Sequence, residues 1–251
     1  MSADRRTQRN PARTAVVWEV LRSALAAYQG APRSLPVVDI GGGTGGFAVP
    51  LAELGYSVTV IDPSPDSLAA LERRAAEAGV ADLVVAHQGD AADVVSLLGA
   101  ESVAAVLCHS VLEVVDDPAA AMRGIVEVLL PHGVASILVA NRVAATVARV
   151  AAGRLGEARD LMASESGVIG FGDPVRRRFT LDGIQDLVVS SGLRRVSVHG
   201  VRIFADIAPA ALIEGDVAAA EELVALEHSV ATDPAYLSMA TSLHLLAEKP
   251  G

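Results

Sequence analysis

The sequence predicts an α/β domain whose mostly parallel sheet is covered by helices on both faces. Short apolar segments of strand length alternate with longer segments whose apolar residues recur at helical spacing. A glycine-rich segment joins the first predicted strand to the helix that follows it. Strands and helices that alternate in this way form right-handed parallel units. The 251-residue chain is long enough for one large domain of this kind.

The predicted elements alternate until residue 141 and then change character. Residues 1–33 are predicted to be an N-terminal arm and helix, with apolar positions at helical spacing over 12–29. Residues 142–178 are predicted to be a cap-like insertion in a single domain spanning 1–251. The predicted strands cover residues 36–40, 57–62, 81–88, 103–110, 133–141 and 242–249. The predicted helices cover residues 45–55, 65–79, 117–130, 142–162, 180–190 and 216–229.

Local signals support several helix ends. Gly55 and Gly79 close two predicted helices, as glycine commonly does past a last helical turn. Pro118 follows two aspartates at the start of another, where proline is favoured. These signals agree with the apolar spacing.

Composition excludes several classes of protein. Hydrophobic residues make up 51% of the chain and aromatic residues only 3%, so a disordered chain is excluded and the core is built mainly from Ala, Val and Leu. A single cysteine excludes a disulfide framework and a cysteine-based zinc cluster. No apolar run approaches the roughly 20 residues of a membrane-spanning helix, and the first residues lack the apolar stretch of a signal peptide. We therefore expect a cytoplasmic protein with no membrane partner.

Charge is unevenly distributed around a net charge of −10. Residues 34–141 carry three Arg and fourteen acidic residues, whereas residues 142–178 carry seven Arg and four acidic residues. The basic segments are either solvated helix faces or sites that attract an anionic substrate. The triplet Arg176–Arg178 is open to the same two interpretations, a solvated turn or a phosphate contact.

The segment VVDIGGGTGG at residues 37–46 is the most informative motif. It lies at a strand end and opens a helix, where backbone amides approach a ligand at the positive helix terminus. Gly41, Gly43 and Gly46 match the G-x-G-x-x-G pattern, and Asp62 follows about 20 residues later, where a ribose-binding acid belongs. This spacing alone does not separate NAD from other adenosine cofactors.

Acidic residues around the motif favour a cationic cofactor. Asp39 lies two residues before the first glycine, where it would repel a pyrophosphate but attract a cationic amino-acid group. Asp62 is placed to accept hydrogen bonds from both ribose hydroxyls. Asp90 and Asp93 follow the third strand, where a carboxylate contacts the exocyclic amine of adenine. An acidic cradle suits a cofactor that carries a sulfonium and an α-amino group.

With these motifs, the sequence resembles the class I S-adenosylmethionine-dependent methyltransferases. VVDIGGGTGG resembles their first motif, VIDPS at 60–64 their strand-two acid, and LLPHGVASILVAN at 129–141 their post-helix strand. The resemblance implies S-adenosylmethionine as cofactor, with S-adenosylhomocysteine as product. It also implies a Rossmann-like sheet of seven strands whose last strand, supplied by SLHLLAEK, is antiparallel.

A narrower resemblance is to the bacterial tRNA 5-carboxymethoxyuridine methyltransferases, which esterify a carboxylate on the wobble uridine. It rests on R-x-x-x-x-W at 13–18, CHSVLEVVDDP at 108–118, GVRIFADI at 200–207 and the terminal LHLLAEKP. The sequence departs from the family in its short basic run at 176–178. The motif and the resemblance together assign cofactor binding to Arg13, Asp39, Gly41, Gly42, Gly43, Asp62, Asp90, Ala91, Ala92 and His109. In this assignment Arg13 pairs with the cofactor carboxylate.

No residue is predicted to act as a catalytic acid or base, because a carboxylate acceptor is already ionised at neutral pH. Arg202, set between apolar neighbours, requires a partner, either Asp206 or the anionic acceptor that it would orient. Cys108 is predicted to be a buried structural residue. Glu113 is predicted to lie on an exposed turn without a catalytic role. No metal site is predicted, since the remaining histidines lack metal-ligand spacing: His87, His132, His199, His228 and His244.

The acceptor is predicted to be tRNA or a small-molecule carboxylate, and DNA is not expected as a partner. A small-molecule O-methyltransferase is the first alternative, favoured by the acidic charge and the short basic run. An NAD-linked oxidoreductase and a non-catalytic cofactor-binding protein are the others.

Overall fold

The computed structural model describes residues 11–28, 35–170, 173, 175–209 and 216–251, and these residues contain seven β-strands. Parts of the predicted arm at 1–33 and of the segment at 163–178 lie outside the described residues. The strands are β1 Pro36–Ile40, β2 Ser57–Asp62, β3 Val84–Gln88, β4 Val103–His109, β5 Leu129–Ala140, β6 Arg194–Val201 and β7 Ser242–Glu248.

The strands form one sheet in the order β3-β2-β1-β4-β5-β7-β6. Strand β1 pairs in parallel with β2 and β4, and Val38 lies between Thr59 and Val106. Near the start of β5, the His132 N–H donates to the Lys249 carbonyl just past the end of β7. Past the end of β5, the Asn141 N–H donates to the Thr241 carbonyl just before β7 begins. Strand β7 is therefore antiparallel, which confirms the predicted sheet.

Helices connect these strands. They are α1 Ala15–Ala27, α2 Ala48–Glu53, α3 Pro65–Glu77, α4 Val94–Leu98, α5 Pro118–Val128, α6 Arg142–Ala151, α7 Leu155–Ala163, α8 Leu181–Ser190, α9 Val217–Val230 and α10 Pro234–Leu237. The side chains of Ser64 and Asp117 accept hydrogen bonds from the first turns of α3 and α5, and a proline follows each of them. These caps explain why both helices begin where the sequence indicates.

One helix prediction is wrong, and one short helix between β3 and β4 was missed. Residues 142–162 are not one helix, because the chain breaks between α6 and α7 and Gly153 adopts a φ of +72° there. The alanine-rich composition hid this break, since alanine favours helix throughout. The five-residue α4, between β3 and β4, was not predicted, because a single turn is too short to show helical periodicity.

The described chain divides into two compact units. The motif unit comprises residues 24–137, 185–196 and 246–251, and contains β1 to β4. The arginine unit comprises the described residues within 1–23, 138–184 and 197–245. No helix in the described ranges is both long and apolar enough to cross a membrane.

Asn141 organises part of the arginine unit. Its side-chain oxygen accepts a hydrogen bond from the Val143 N–H and caps α6. Its side-chain nitrogen donates to the carbonyls of Leu237, Ser238 and Ala240. Because Asn141 is only 2% exposed, these bonds satisfy an amide that would otherwise be costly to bury. These bonds fix the chain at residue 141, where the regular alternation of strands and helices ends.

Candidate functional site

The glycine-rich segment forms a tight turn directly after β1 in the motif unit. Gly41 and Gly43 have φ values of +67° and +55°, a region that non-glycine residues rarely adopt. The Gly41 N–H donates to the Ile61 carbonyl at 2.7 Å, which holds the turn against β2. A Cβ atom added at Gly42 would lie 2.6 Å from the Asp39 Oδ2 atom. The turn therefore packs closely against the Asp39 carboxylate, and no side chain larger than that of glycine fits at position 42 without displacing it.

Gly42→Ala is expected to lower the free energy of unfolding by about 1–3 kcal/mol and to weaken cofactor binding, because the new methyl group overlaps Asp39 and Val60. Thermal melts with and without cofactor measure both effects. Gly46→Ala is the matched control, since a Cβ there meets no atom within 4 Å. Equal melting temperatures for the two variants would contradict the close fit at Gly42.

Asp62 joins the glycine turn to the end of β2. Its Oδ2 atom accepts from the Gly43 N–H at 2.9 Å, and its Oδ1 atom accepts from the Ser64 N–H at 2.9 Å. Each carboxylate oxygen has a second lone pair, so both can also accept hydroxyl hydrogen bonds. Asp62 thus orients the turn, and it keeps acceptor capacity for the ribose diol that it is predicted to bind.

Asp39 is a buried carboxyl group beneath the turn, only 3% exposed. Burial, with a further contribution from the negative charge of Asp62, raises the pKa of Asp39 to about 7. The group is therefore held in an environment that disfavours its charged form. A cation placed nearby would reverse that preference.

The loop after β3 places residues 90–92 at the edge of the sheet where Asp62 lies. The Gly89 N–H donates to the Asp62 carbonyl at 3.3 Å and connects this loop to β2. Asp90 Oδ1 accepts from the Ala92 N–H at 2.7 Å, while Asp93 Oδ2 accepts from the Asp90 N–H at 2.9 Å. Asp90 is exposed and Ala91 is buried. Both carboxylates therefore stabilise the loop internally, and Asp93 is exposed like Asp90.

His109 ends β4 and contacts two residues that sequence reasoning missed. Its Nε2 atom lies 2.8 Å from the Ser136 Oγ atom, and its ring packs edge-on against Phe47 with centroids 4.6 Å apart. Burial lowers the pKa of His109 to about 3, so the imidazole is neutral at physiological pH. Ser136 lies within the segment 129–141 and Phe47 directly follows the glycine-rich motif, but no spacing pairs either residue with His109, and only the sheet order brings β5 beside β4.

Cys108 and Glu113 flank the same strand end. Cys108 is fully buried, as predicted, and burial raises the pKa of its thiol, which stays protonated. Glu113 is only 4% exposed, so the prediction of an exposed turn is wrong. A carboxylate in a turn is usually solvated, but Glu113 lies between Leu112 and Val114 in sequence and the chain folds its side chain inward.

Arg13, Arg202 and Asp206 form a cluster in the arginine unit, called here the arginine cluster. Asp206 Oδ1 lies 2.9 Å from the Arg13 guanidinium, and Asp206 Oδ2 lies 2.5 Å from that of Arg202. Arg202 adopts a φ of +62°, in the left-handed region. Its Nε atom is buried and has no hydrogen-bond partner among the described residues. Asp206 is thus the structural partner of Arg202 that the sequence left open.

The basic triplet at 176–178 is not uniformly solvated. Arg176 is exposed, but Arg178 is 5% exposed and forms two hydrogen bonds with Asp173, at 2.5 and 2.9 Å. The solvated-turn interpretation is therefore wrong for Arg178. Among the described residues, no group of three His, Cys, Asp or Glu is arranged to hold a metal ion.

Comparisons with known proteins identify the chemistry. A family model described as a methyltransferase domain matches residues 38–137, which include the glycine turn, Asp62 and His109. The tRNA 5-carboxymethoxyuridine methyltransferase of Escherichia coli is 29% identical over 97% of this chain and 90% of its own length. The S-adenosylmethionine-dependent methyltransferase from Mesorhizobium loti has a TM-score of 0.60 at 22% identity, covering 92% of this chain and 97% of that chain.

The protein is an S-adenosylmethionine-dependent methyltransferase, and its sheet has the class I methyltransferase fold. The NAD-linked oxidoreductase and the non-catalytic binding protein are thereby set aside. A shorter match is to the ubiquinone biosynthesis O-methyltransferase of Caulobacter vibrioides, 34% identical over 53% of each chain.

The residues of the motif unit fit S-adenosylmethionine. Asp62 keeps free lone pairs for hydroxyl groups, and the buried carboxyl of Asp39 lies where positive charge would stabilise its ionised form. A diphosphate would instead place negative charge beside two carboxyl groups, which is unfavourable. The methyltransferase therefore has an acidic cradle that suits a cationic cofactor.

Proposed function

We propose that this methyltransferase is a cytoplasmic tRNA-modifying enzyme that methylates the carboxylate of 5-carboxymethoxyuridine. The observation that carries the proposal is the match over 97% of the chain to the E. coli enzyme of that name. The match to the ubiquinone biosynthesis enzyme covers only about half of the chain. The match to the E. coli enzyme extends well beyond the methyltransferase domain at 38–137 and includes the arginine cluster, which favours the tRNA acceptor.

The chemistry of the arginine cluster supports an anionic acceptor. Two guanidinium groups share the single carboxylate of Asp206, so the cluster carries one uncompensated positive charge. An acceptor carboxylate bound by Arg202, whose side chain is 30% exposed, would balance that charge. Because Asp206 shares the Arg202 charge, the acceptor would be oriented without losing its nucleophilicity.

Two titratable groups at the end of β4, His109 and Cys108, favour a carboxylate over a phenol. A phenol, with an ordinary pKa near 10, has to lose a proton before methylation, whereas a carboxylate is ionised at pH 7. His109, with its pKa at about 3, is a poor base for that proton, and the raised pKa of Cys108 keeps its thiol protonated. The reaction then depends on holding the acceptor oxygen in line with the methyl–sulfur bond and on excluding water.

The cofactor supplies the methyl group on a sulfonium, and we propose that ten residues bind it: Arg13, Asp39, Gly41, Gly42, Gly43, Asp62, Asp90, Ala91, Ala92 and His109. Asp62 accepts from the ribose hydroxyls, and Asp39 faces the cationic amino-acid end. The contact of Arg13 with the cofactor carboxylate stays a prediction, since Arg13 pairs with Asp206 here.

A small-molecule O-methyltransferase is the second candidate. The 34% identity to the ubiquinone biosynthesis enzyme favours it, as do the net charge of −10 and the burial of Arg178, which removes one arginine from the short basic run. In that case the arginine cluster would bind the carboxylate of a small acid. The two candidates differ in whether tRNA is methylated.

Methyl transfer from labelled S-adenosylmethionine into tRNA from cells lacking this gene tests the proposal. The expected product is a methyl ester on carboxymethoxyuridine, which mild alkali removes and nucleoside mass analysis identifies. Asp62→Ala is the inactive control. No incorporation into tRNA shown to contain unmethylated carboxymethoxyuridine, by protein that binds cofactor, would exclude the tRNA acceptor. The search would then turn to small carboxylic acids.

A further inference from the structure

Glu227 is a buried carboxylate that the proposed reaction does not yet use. It lies on α9, is fully buried, and has no charged partner among the ion pairs of the described residues. Burying a carboxylate is costly unless several donors compensate for the lost hydration. Its presence in a helix face that is otherwise apolar therefore calls for a specific role.

The donors of Glu227 are three consecutive backbone N–H groups. The Ile203 N–H donates to Oε2 at 3.0 Å, and the Phe204 and Ala205 N–H groups donate to Oε1, each at 2.8 Å. These residues follow the end of β6 at Val201, where the sheet no longer supplies acceptors. One side chain thus satisfies and orients the whole turn between Arg202 and Asp206.

The turn held by Glu227 carries two of the three members of the arginine cluster. Arg202 comes directly before the three N–H groups and is held at a φ of +62°, which is unfavourable for a residue with a Cβ atom. Asp206 comes directly after them and bridges Arg202 to Arg13. Such a backbone conformation persists only where surrounding contacts over-determine it.

Helix α9 also contacts the segment that carries the third member. Leu223, one turn before Glu227 and on the same helix face, packs with Ala12 and Ala205 in a small apolar cluster. Ala12 immediately precedes Arg13. One face of α9 therefore supports both backbone segments from which the arginine cluster projects.

We propose that Glu227 is a positioning residue that fixes Arg202 in the orientation required by the anionic acceptor. The inference rests on the proposed function, because it assigns the Arg202 guanidinium to the acceptor carboxylate. Glu227 contacts neither reactant and acts only through the turn 203–205.

Glu227→Gln tests this role with a change of one group. Glutamine keeps one oxygen acceptor but presents an N–H₂ group toward a backbone donor, so at least one hydrogen bond is lost. With tRNA containing carboxymethoxyuridine as acceptor, we expect KM for tRNA to rise about tenfold while the cofactor Kd changes less than about twofold. Glu222→Gln, on the exposed face of α9, is the matched control and should behave as the wild type.

A double-mutant cycle with Arg202→Gln separates positioning from general stability. If Glu227 acts through Arg202, Glu227→Gln should have almost no further effect on KM in the Arg202→Gln background. A full tenfold effect in that background, or a parallel loss of cofactor affinity, would overturn the proposal.

Amide hydrogen exchange at Ile203, Phe204 and Ala205 tests the turn without any acceptor. Exchange there should be faster in Glu227→Gln than in Glu222→Gln, and unchanged exchange would refute the positioning role. If the wild-type protein did not methylate tRNA although the exchange result held, the failure would lie in the proposed acceptor.

Discussion

Asp39→Asn is expected to weaken S-adenosylmethionine binding about tenfold at pH 8. At the same pH the substitution is expected to stabilise the cofactor-free protein. Both effects have one cause. The buried carboxyl of Asp39, with a pKa raised to about 7, is costly to ionise without a cation beside it. Asparagine has a similar shape but no charge, so it removes the cost and the attraction together.

The pH dependence follows from the same pKa. The folded protein keeps the Asp39 proton up to about pH 7, whereas the unfolded chain loses it near pH 4. Between these values the folded state binds more protons, so the contribution of Asp39 to stability falls as pH rises. The loss is complete above pH 7 and amounts to at most about 4 kcal/mol. Asp39→Asn should therefore raise the melting temperature more at pH 8 than at pH 5.

Cofactor binding should depend on pH with the opposite sign. Because we propose that the cationic cofactor binds the ionised carboxylate, we expect wild-type affinity to fall about tenfold per pH unit below pH 7 and to level off above it. Titration calorimetry at pH 6, in two buffers with different ionisation enthalpies, should detect the release of nearly one proton when the cofactor binds. Asp39→Asn should show neither effect, and the exposed Asp186→Asn should show both. Equal proton release by Asp39→Asn and the wild type would assign the titration to another group.

Most of the fold could be predicted from the sequence, because local signals and tertiary contacts agree along residues 36–141. Gly41 and Gly43 stand where the turn requires positive φ, and Pro65 and Pro118 stand at helix starts. The prediction of a single helix over residues 142–162 failed, because it depended mainly on composition. An alanine-rich run indicates helix everywhere, so the break at Gly153 gave little signal.

The site could be predicted in part for the same reason. Asp39 and Asp62 lie at fixed spacing from the glycines, and the structure places both carboxyl groups against the glycine turn. The inward orientation of Glu113 and the ion pair of Arg178 depend on tertiary contacts that spacing does not encode. One feature of the sequence could have pointed to Glu227. It lies one helical turn after Leu223, so this acidic residue shares a helix face with an apolar residue. A charge on an apolar helix face indicates a buried partner.

Arg202→Gln is expected to lower kcat/KM for the tRNA acceptor about a hundredfold and to leave the cofactor Kd unchanged. The ion pair with Asp206 orients the guanidinium, whose side chain stays 30% exposed and can meet the acceptor. Glutamine keeps a donor but loses the charge and the planar fork. Arg202→Lys keeps the charge without the fork and should give an intermediate loss.

Steady-state methylation of tRNA, with cofactor affinity measured separately, distinguishes orientation of the acceptor from support of the cofactor. Arg159→Gln, an exposed arginine on α7, is the matched control and should retain wild-type kinetics, because removing one solvated charge changes little at moderate salt. A rise in cofactor Kd with an unchanged tRNA KM in Arg202→Gln would instead assign Arg202 to the cofactor. The charge that Asp206 leaves uncompensated would then serve the cofactor carboxylate, and the acceptor would have to be held by other residues.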